Sequence, residues 1–105
     1  MKETTPLKYL YKIVSQEAWE ESLFANRLML SSMDSEFVHL ATEQQVPDVL
    51  RKHWKGREYV ILKVVPSKMT GRIIYEYNTS RTAKYYHLYE GEIPLDAVVH
   101  VHVTT

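Results

Sequence analysis

Four apolar runs of strand length follow one another through the second half of this chain, with only turns between them. They are residues 59–65 (YVILKVV), 72–77 (RIIYEY), 85–89 (YYHLY) and 97–103 (AVVHVHV). β-Branched and aromatic residues dominate each run, as a pleated, half-buried surface favours. The connecting segments hold Pro66 and Gly71, the polar stretch 78–84, and Gly91 with Pro94, which is turn chemistry. Strands joined through turns this short are mainly antiparallel. Residues 59–65 lack an alternating pattern and read as a strand buried on both faces for most of its length.

The first half mixes strands with helices. Leu7–Val14 reads as a strand. Ser15 is an N-cap candidate, with Glu17, Glu20 and Glu21 where the helix dipole favours anions. Trp19 and Leu23 lie four apart and should share the buried face of a helix closed by Asn26, a residue that tolerates the left-handed conformation. Residues 27–36 form a loop and 37–40 a second strand. Thr42 and Gln45 fit a capping box ahead of a helix carrying Val46, Val49, Leu50 and Trp54, which Gly56 ends. Pro47 falls late for a first-turn proline, so the start of that helix is not fixed by pattern. The order β-α-β-α-β-β-β-β predicts a compact α+β domain over residues 8–103, with residues 1–7 as a flexible N-terminus.

At 105 residues the chain is long enough to bury one real core without staples. It has no cysteine, which removes disulfides and thiolate chemistry and is compatible with a cytoplasmic setting. No apolar stretch approaches a membrane span. Thirteen Lys and Arg balance 13 Asp and Glu. That neutrality argues against a nucleic-acid partner, which calls for a basic face. Arg51, Lys52, Lys55 and Arg57 do cluster around His53 and Trp54, most simply as a solvated helix end that complements the dipole.

The candidate site lies in three of the apolar runs. His39 sits in Phe37-Val38-His39-Leu40-Ala41-Thr42, His87 in Tyr85-Tyr86-His87-Leu88-Tyr89, and Glu76 in Ile73-Ile74-Tyr75-Glu76-Tyr77. Burying such groups without partners costs on the order of 1–3 kcal/mol each, so three of them suggest a shared polar site. Strand alternation puts Phe37, His39 and Ala41 on one face, Tyr85, His87 and Tyr89 on one face, and Arg72, Ile74 and Glu76 on one face. His100 and His102 form an H-x-H pair, a spacing that can present two nitrogens to a metal. Valines at 99, 101 and 103 already explain that strand as amphipathic, and no metal site is assigned. The chain has no phosphate-binding loop, nucleophile elbow or zincin motif. A His, Glu, Tyr and Thr collection without a nucleophile suits binding, or a reaction in which the protein orients a reactive substrate and stabilises charge.

Tyr11-Lys12-Ile13-Val14 with Trp19, the run Phe37–Thr42 with Gln45-Val46, Tyr75-Glu76, His87-Leu88-Tyr89, and Pro94-Leu95 with Ala97-Val98 together resemble a bacterial and plant family. It is domain-of-unknown-function family 952, grouped with the ADP-ribosyltransferase-like superfamily. The resemblance implies a small split antiparallel sheet or barrel with two main helices and a cleft of the NAD-binding type. It further implies Glu76 as a catalytic carboxylate and His39, Thr42, His87 and Tyr89 as cleft-lining residues, with NAD as a candidate substrate. Three positions depart from the family pattern: Glu36 replaces a usual glycine, Ala41 a usual serine and Tyr86 a usual proline. Ala41 shares the face of His39, so a hydroxyl is missing inside the implied site. Two functions follow: a nucleotide-binding cleft with ADP-ribosyl-transfer or glycohydrolase chemistry, or a non-catalytic module for a small ligand or partner on the same fold.

Overall fold

A computed structural model describes residues 7–30 and 34–104. The flexible N-terminus assigned to residues 1–7 lies, apart from Leu7, outside the described residues. The elements in chain order are strand β1 (Leu10–Ser15), helix α1 (Gln16–Ala25), strand β2 (Val38–Leu40), helix α2 (Val46–His53) and strands β3 (Tyr59–Val64), β4 (Arg72–Tyr77), β5 (Lys84–Tyr89) and β6 (Val98–Val103). Short 3₁₀ turns occupy Glu43–Gln45, Pro66–Lys68 and Leu95–Ala97.

The strands form two antiparallel three-stranded sheets, in the orders β1-β3-β6 and β2-β5-β4. Two separate antiparallel sheets agree with the split sheet that the family resemblance implies; the barrel does not form. Among the described residues one backbone bridge links the sheets, where Tyr11 and Ala41 exchange both hydrogen bonds at 2.8 and 2.9 Å. That bridge joins β1, at the edge of one sheet, to the chain just after β2, at the edge of the other.

One core spans both sheets. Leu10, Val60, Leu62 and Val64 from the first sheet pack with Val38, Leu40 and Leu88 from the second. Burying each such side chain contributes roughly 1.5–3 kcal/mol. Strand β3 alternates strictly, with Val60, Leu62 and Val64 inside and Tyr59, Ile61 and Lys63 half-buried. The expectation of burial on both faces is therefore corrected: the apolar outward residues are β-formers rather than core.

Helix α1 begins as its sequence predicts, with the Ser15 hydroxyl accepting from the Ala18 N–H at 3.0 Å, and ends at Asn26 with φ of 61°. Its inner face is Ala18, Trp19 and Ser22, whereas Leu23 and Phe24 point outward. The predicted Trp19–Leu23 face is thus rotated. Leu28, returning along the helix, fills the core volume, and Ser22 ties that return down by accepting from the Met29 N–H at 2.7 Å. Helix α2 resolves the placement of Pro47. The 3₁₀ turn Glu43–Gln45 comes first, so the proline falls in the first turn of the α-helix, where no N–H is needed. Gln45 reaches back to the Thr42 N–H at 3.0 Å, as a capping box requires.

Candidate functional site

The register of the second sheet brings the two histidines face to face. His39 on β2 lies directly opposite His87 on β5, and Ile74 on β4 lies opposite His87 on its other side. The imidazoles meet edge to face with centroids 5.6 Å apart, and the Phe37 ring stacks on His87 at 4.1 Å. Glu76, two residues beyond Ile74 on the same face, places Oε2 2.7 Å from His87 Nδ1. The Tyr89 hydroxyl donates to the same oxygen.

His39 has a carboxylate of its own. Strand β2 is the outer strand of its sheet, and the His39 N–H is taken by Asp34 Oδ1 at 3.0 Å instead of by another strand. The same oxygen lies 2.9 Å from His39 Nδ1. Lys12 on β1 completes the arrangement, with Nζ 2.9 and 3.0 Å from the two Asp34 oxygens. Lys12 is only 5% exposed, so this ion pair is buried.

Burial would raise the Asp34 carboxyl, but the His39 ring and the Lys12 ammonium outweigh it and hold the group down at about 2. Burial pushes the Lys12 ammonium below its ordinary range, and Asp34 opposes that shift. The Tyr89 hydroxyl and then the His87 ring keep the Glu76 carboxyl below the usual range. The same bond pushes the Tyr89 phenol up to about 12. Both carboxylates are therefore ionised near neutrality, and each accepts a hydrogen bond from its ring. A neutral His39 or His87 then carries Nδ1–H and keeps its lone pair on Nε2.

Beside the Tyr11–Ala41 bridge a cleft of about 560 Å³ opens between β1, β2 and the C-terminal end of α2. His39, His87, Phe37 and Tyr85 line one side, and Lys52, His53, Trp54 and Arg57 line another. The hairpin loop contributes Asn78, Thr79 and Ser80. That loop is built by Asn78, whose carboxamide oxygen accepts from the Thr82 N–H at 3.0 Å while its own N–H donates to Ala83 at 3.0 Å. Arg57 lies 4.2 Å over the Trp54 ring and donates to the His53 carbonyl at 3.1 Å, closing the end of α2. Lys12 and Asp34 neutralise one another, so Lys52 and Arg57 give the cleft its net positive charge.

The structure brings four of the predicted residues together: His39, His87, Glu76 and Tyr89. Of these, the histidines line the cleft, while Glu76 and Tyr89 stand behind His87 and are not among its lining residues. Thr42 opens the turn before α2 and is not a lining residue either, although its neighbour Ala41 is. His100 and His102 are exposed on β6, and among the described residues no group of three ligating side chains could hold a metal. No described helix is long and apolar enough to cross a membrane. Sequence reasoning missed Asp34, Lys12 and the cleft-facing role of the α2 basic cluster. The one available signal was Lys12 itself, a lone charge inside the apolar run Leu10–Val14.

Comparison with known proteins gives a family and a fold. No curated protein matches the chain. A crystal structure of a doubly substituted form of protein CC0527 from Caulobacter crescentus matches with a TM-score of 0.76 and 26% identity, covering 90% of this chain and 84% of that one. A second crystal structure of CC0527 matches at 0.77 and 23% identity over the same shares, a likeness of fold alone. The family model described as Protein of unknown function (DUF952) matches residues 13–101. The match covers most of the chain, which belongs to the DUF952 family.

Proposed function

We propose that the cleft beside His39 and His87 binds a small nucleotide-like ligand of the NAD class, a planar ring system joined to phosphate. One observation carries this reading: aromatic side chains, three imidazoles and the cations Lys52 and Arg57, which have no ion pair among the described residues, line a single cleft. Aromatic faces take planar rings, and cations with hydrogen-bond donors take phosphate oxygens. The volume of about 560 Å³ falls within the usual range for small-molecule sites.

A second reading adds chemistry. In the ADP-ribosyltransferase-like superfamily that this chain resembles, a strand glutamate stabilises the ribose cation formed when the glycosidic bond breaks. Glu76 supports that role because it is ionised and its side chain is about one-third exposed (34%), with Oε1 outside both the His87 and Tyr89 bonds. Glu76, Thr42 and Tyr89 are not lining residues, so this reading needs the ribose to pass beyond the His39–His87 pair to reach them. The non-catalytic alternative keeps the same cleft and omits the transfer step.

Titration calorimetry with NAD, ADP-ribose and AMP tests binding, and chromatography of released nicotinamide tests chemistry. Wild-type protein should bind at least one of the three, and Lys52→Ala with Arg57→Ala should weaken it about tenfold or more, the loss of one good charge-assisted contact. Nicotinamide release abolished by Glu76→Gln would support the transferase reading. Binding without release would leave a binding module. No heat with any of the three would overturn the proposal.

A further inference from the structure

We infer that His39 and His87 form an acid–base couple for a phosphodiester bond, with a nucleoside 2′,3′-cyclic phosphate as the simplest substrate of the class. The inference rests on the phosphate-binding reading of the cleft and assigns the reaction. Splitting a phosphodiester with water requires one proton taken from the attacking oxygen and one given to the leaving oxygen. Two imidazoles on adjacent strands supply both functions, provided each presents a nitrogen to the same space.

The geometry meets that condition. Asp34 and Glu76 come from different parts of the chain, yet each holds the Nδ1 of its histidine, at 2.9 and 2.7 Å. Each carboxylate takes the Nδ1 side of its ring and so leaves Nε2 for a ligand. The His39 side chain is 48% exposed. His87 is almost wholly buried, but among the described residues its Nε2 has no partner and no buried side-chain nitrogen lacks one. The ring lines the cleft, so the small part of it that is accessible faces the ligand space. A centroid separation of 5.6 Å lets one phosphate group accept or donate a hydrogen bond at each ring. Lys52 and Arg57, which line the same cleft, offset the charge that builds on the phosphoryl oxygens.

The step balances with water as co-reactant. The neutral imidazole takes a proton from water as the water oxygen bonds to phosphorus. The bond from phosphorus to the bridging ribose oxygen breaks, and the protonated imidazole gives its Nε2 proton to that oxygen. The products are a phosphomonoester and a free hydroxyl, and the two rings have exchanged a proton that solvent returns. Asp34 and Glu76 are positioning residues in this scheme. The titratable groups around the couple are Lys12 and Asp34 beside His39, Glu76 and Tyr89 beside His87, and Lys52, His53 and Arg57 across the cleft.

Adenosine and cytidine 2′,3′-cyclic monophosphates test the inference by chromatography of the monophosphate product, with calorimetry on the same samples. Wild type should turn over at least one, with kcat/KM bell-shaped in pH. His39→Asn and His87→Gln should each lower kcat by roughly 100- to 10,000-fold and remove one limb of the profile. Glu76→Gln should displace a limb and retain part of the rate, which loss of fold would not do. His39→Asn, at the half-exposed position, keeps the test valid if His87→Gln fails to fold. A cyclic nucleotide that binds but is hydrolysed no faster than in buffer overturns the inference and leaves the binding reading intact. An unchanged rate in His39→Asn also overturns it. Failure of every nucleotide to bind overturns both.

Discussion

His39 and His87 carry carboxylate partners of different origin, one from a loop five residues away and one from a neighbouring strand. In each case an ionised oxygen fixes Nδ1–H and exposes Nε2. Long-range ¹⁵N–¹H spectra near pH 8 should show both rings as the Nδ1–H tautomer, and Glu76→Gln should erase that preference at His87 alone. A wild-type His87 in the Nε2–H form would contradict the arrangement. Asp34 also supports the fold. Its folded pKa of about 2 lies below the ordinary 3.8, so its contribution is complete above about pH 4 and disappears as pH falls through 2. Asp34→Asn should cost at least roughly 2 kcal/mol at pH 7, because it also strands Lys12, and the deficit should shrink on acidification. Urea denaturation at several pH values measures this, and a pH-independent deficit would contradict it. The histidines and Glu76 were legible as polar residues in apolar runs. Asp34 and Lys12 were not. Lys12 stood out only as a lone charge in an apolar run, and a loop aspartate looks solvent-facing until the tertiary fold closes the two on each other; nothing local encodes that contact.

At the scale of elements, capping chemistry read well from the sequence and burial phase read less well. Ser15, Asn26 and Gln45 act where their side-chain chemistry places them. Leu23 turned outward because the inner face of α1 is set by the chain after Asn26, which packs Leu28 into the core and secures itself on Ser22. Ser22→Ala should accordingly lower stability by about 1–3 kcal/mol, the cost of leaving the Met29 N–H without its acceptor. Thermal unfolding checks this, and a neutral result would show that another group satisfies the amide. The outer ends of β4 and β5 cross closely. A Cβ on Gly91 would run into the Thr70 carbonyl, and one on Gly71, which has φ of 85°, into the Tyr89 carbonyl. Gly91→Ala should lose roughly 1–3 kcal/mol through this overpacking. Retention of wild-type stability would mean the crossing opens freely.

For the whole molecule, the functional space arises from how the two sheets meet. The succession of strands and the antiparallel pairing of the later ones followed from run lengths and turns, but the orders β1-β3-β6 and β2-β5-β4 and the Tyr11–Ala41 bridge did not, because non-consecutive pairing and a junction of two edges leave no sequence period. That junction places the β2–β5 histidines opposite the basic end of α2, which the sequence alone presented as a solvated helix terminus. A ligand seated there should stabilise the protein by about 2.7 kcal/mol at a hundred times its Kd. Backbone-amide NMR during titration with AMP tests the account most directly. It predicts saturable shifts at His39, Ala41, Trp54, Arg57 and Thr79, lost in Lys52→Ala with Arg57→Ala. Shifts confined to β6, or none at millimolar AMP, would contradict it.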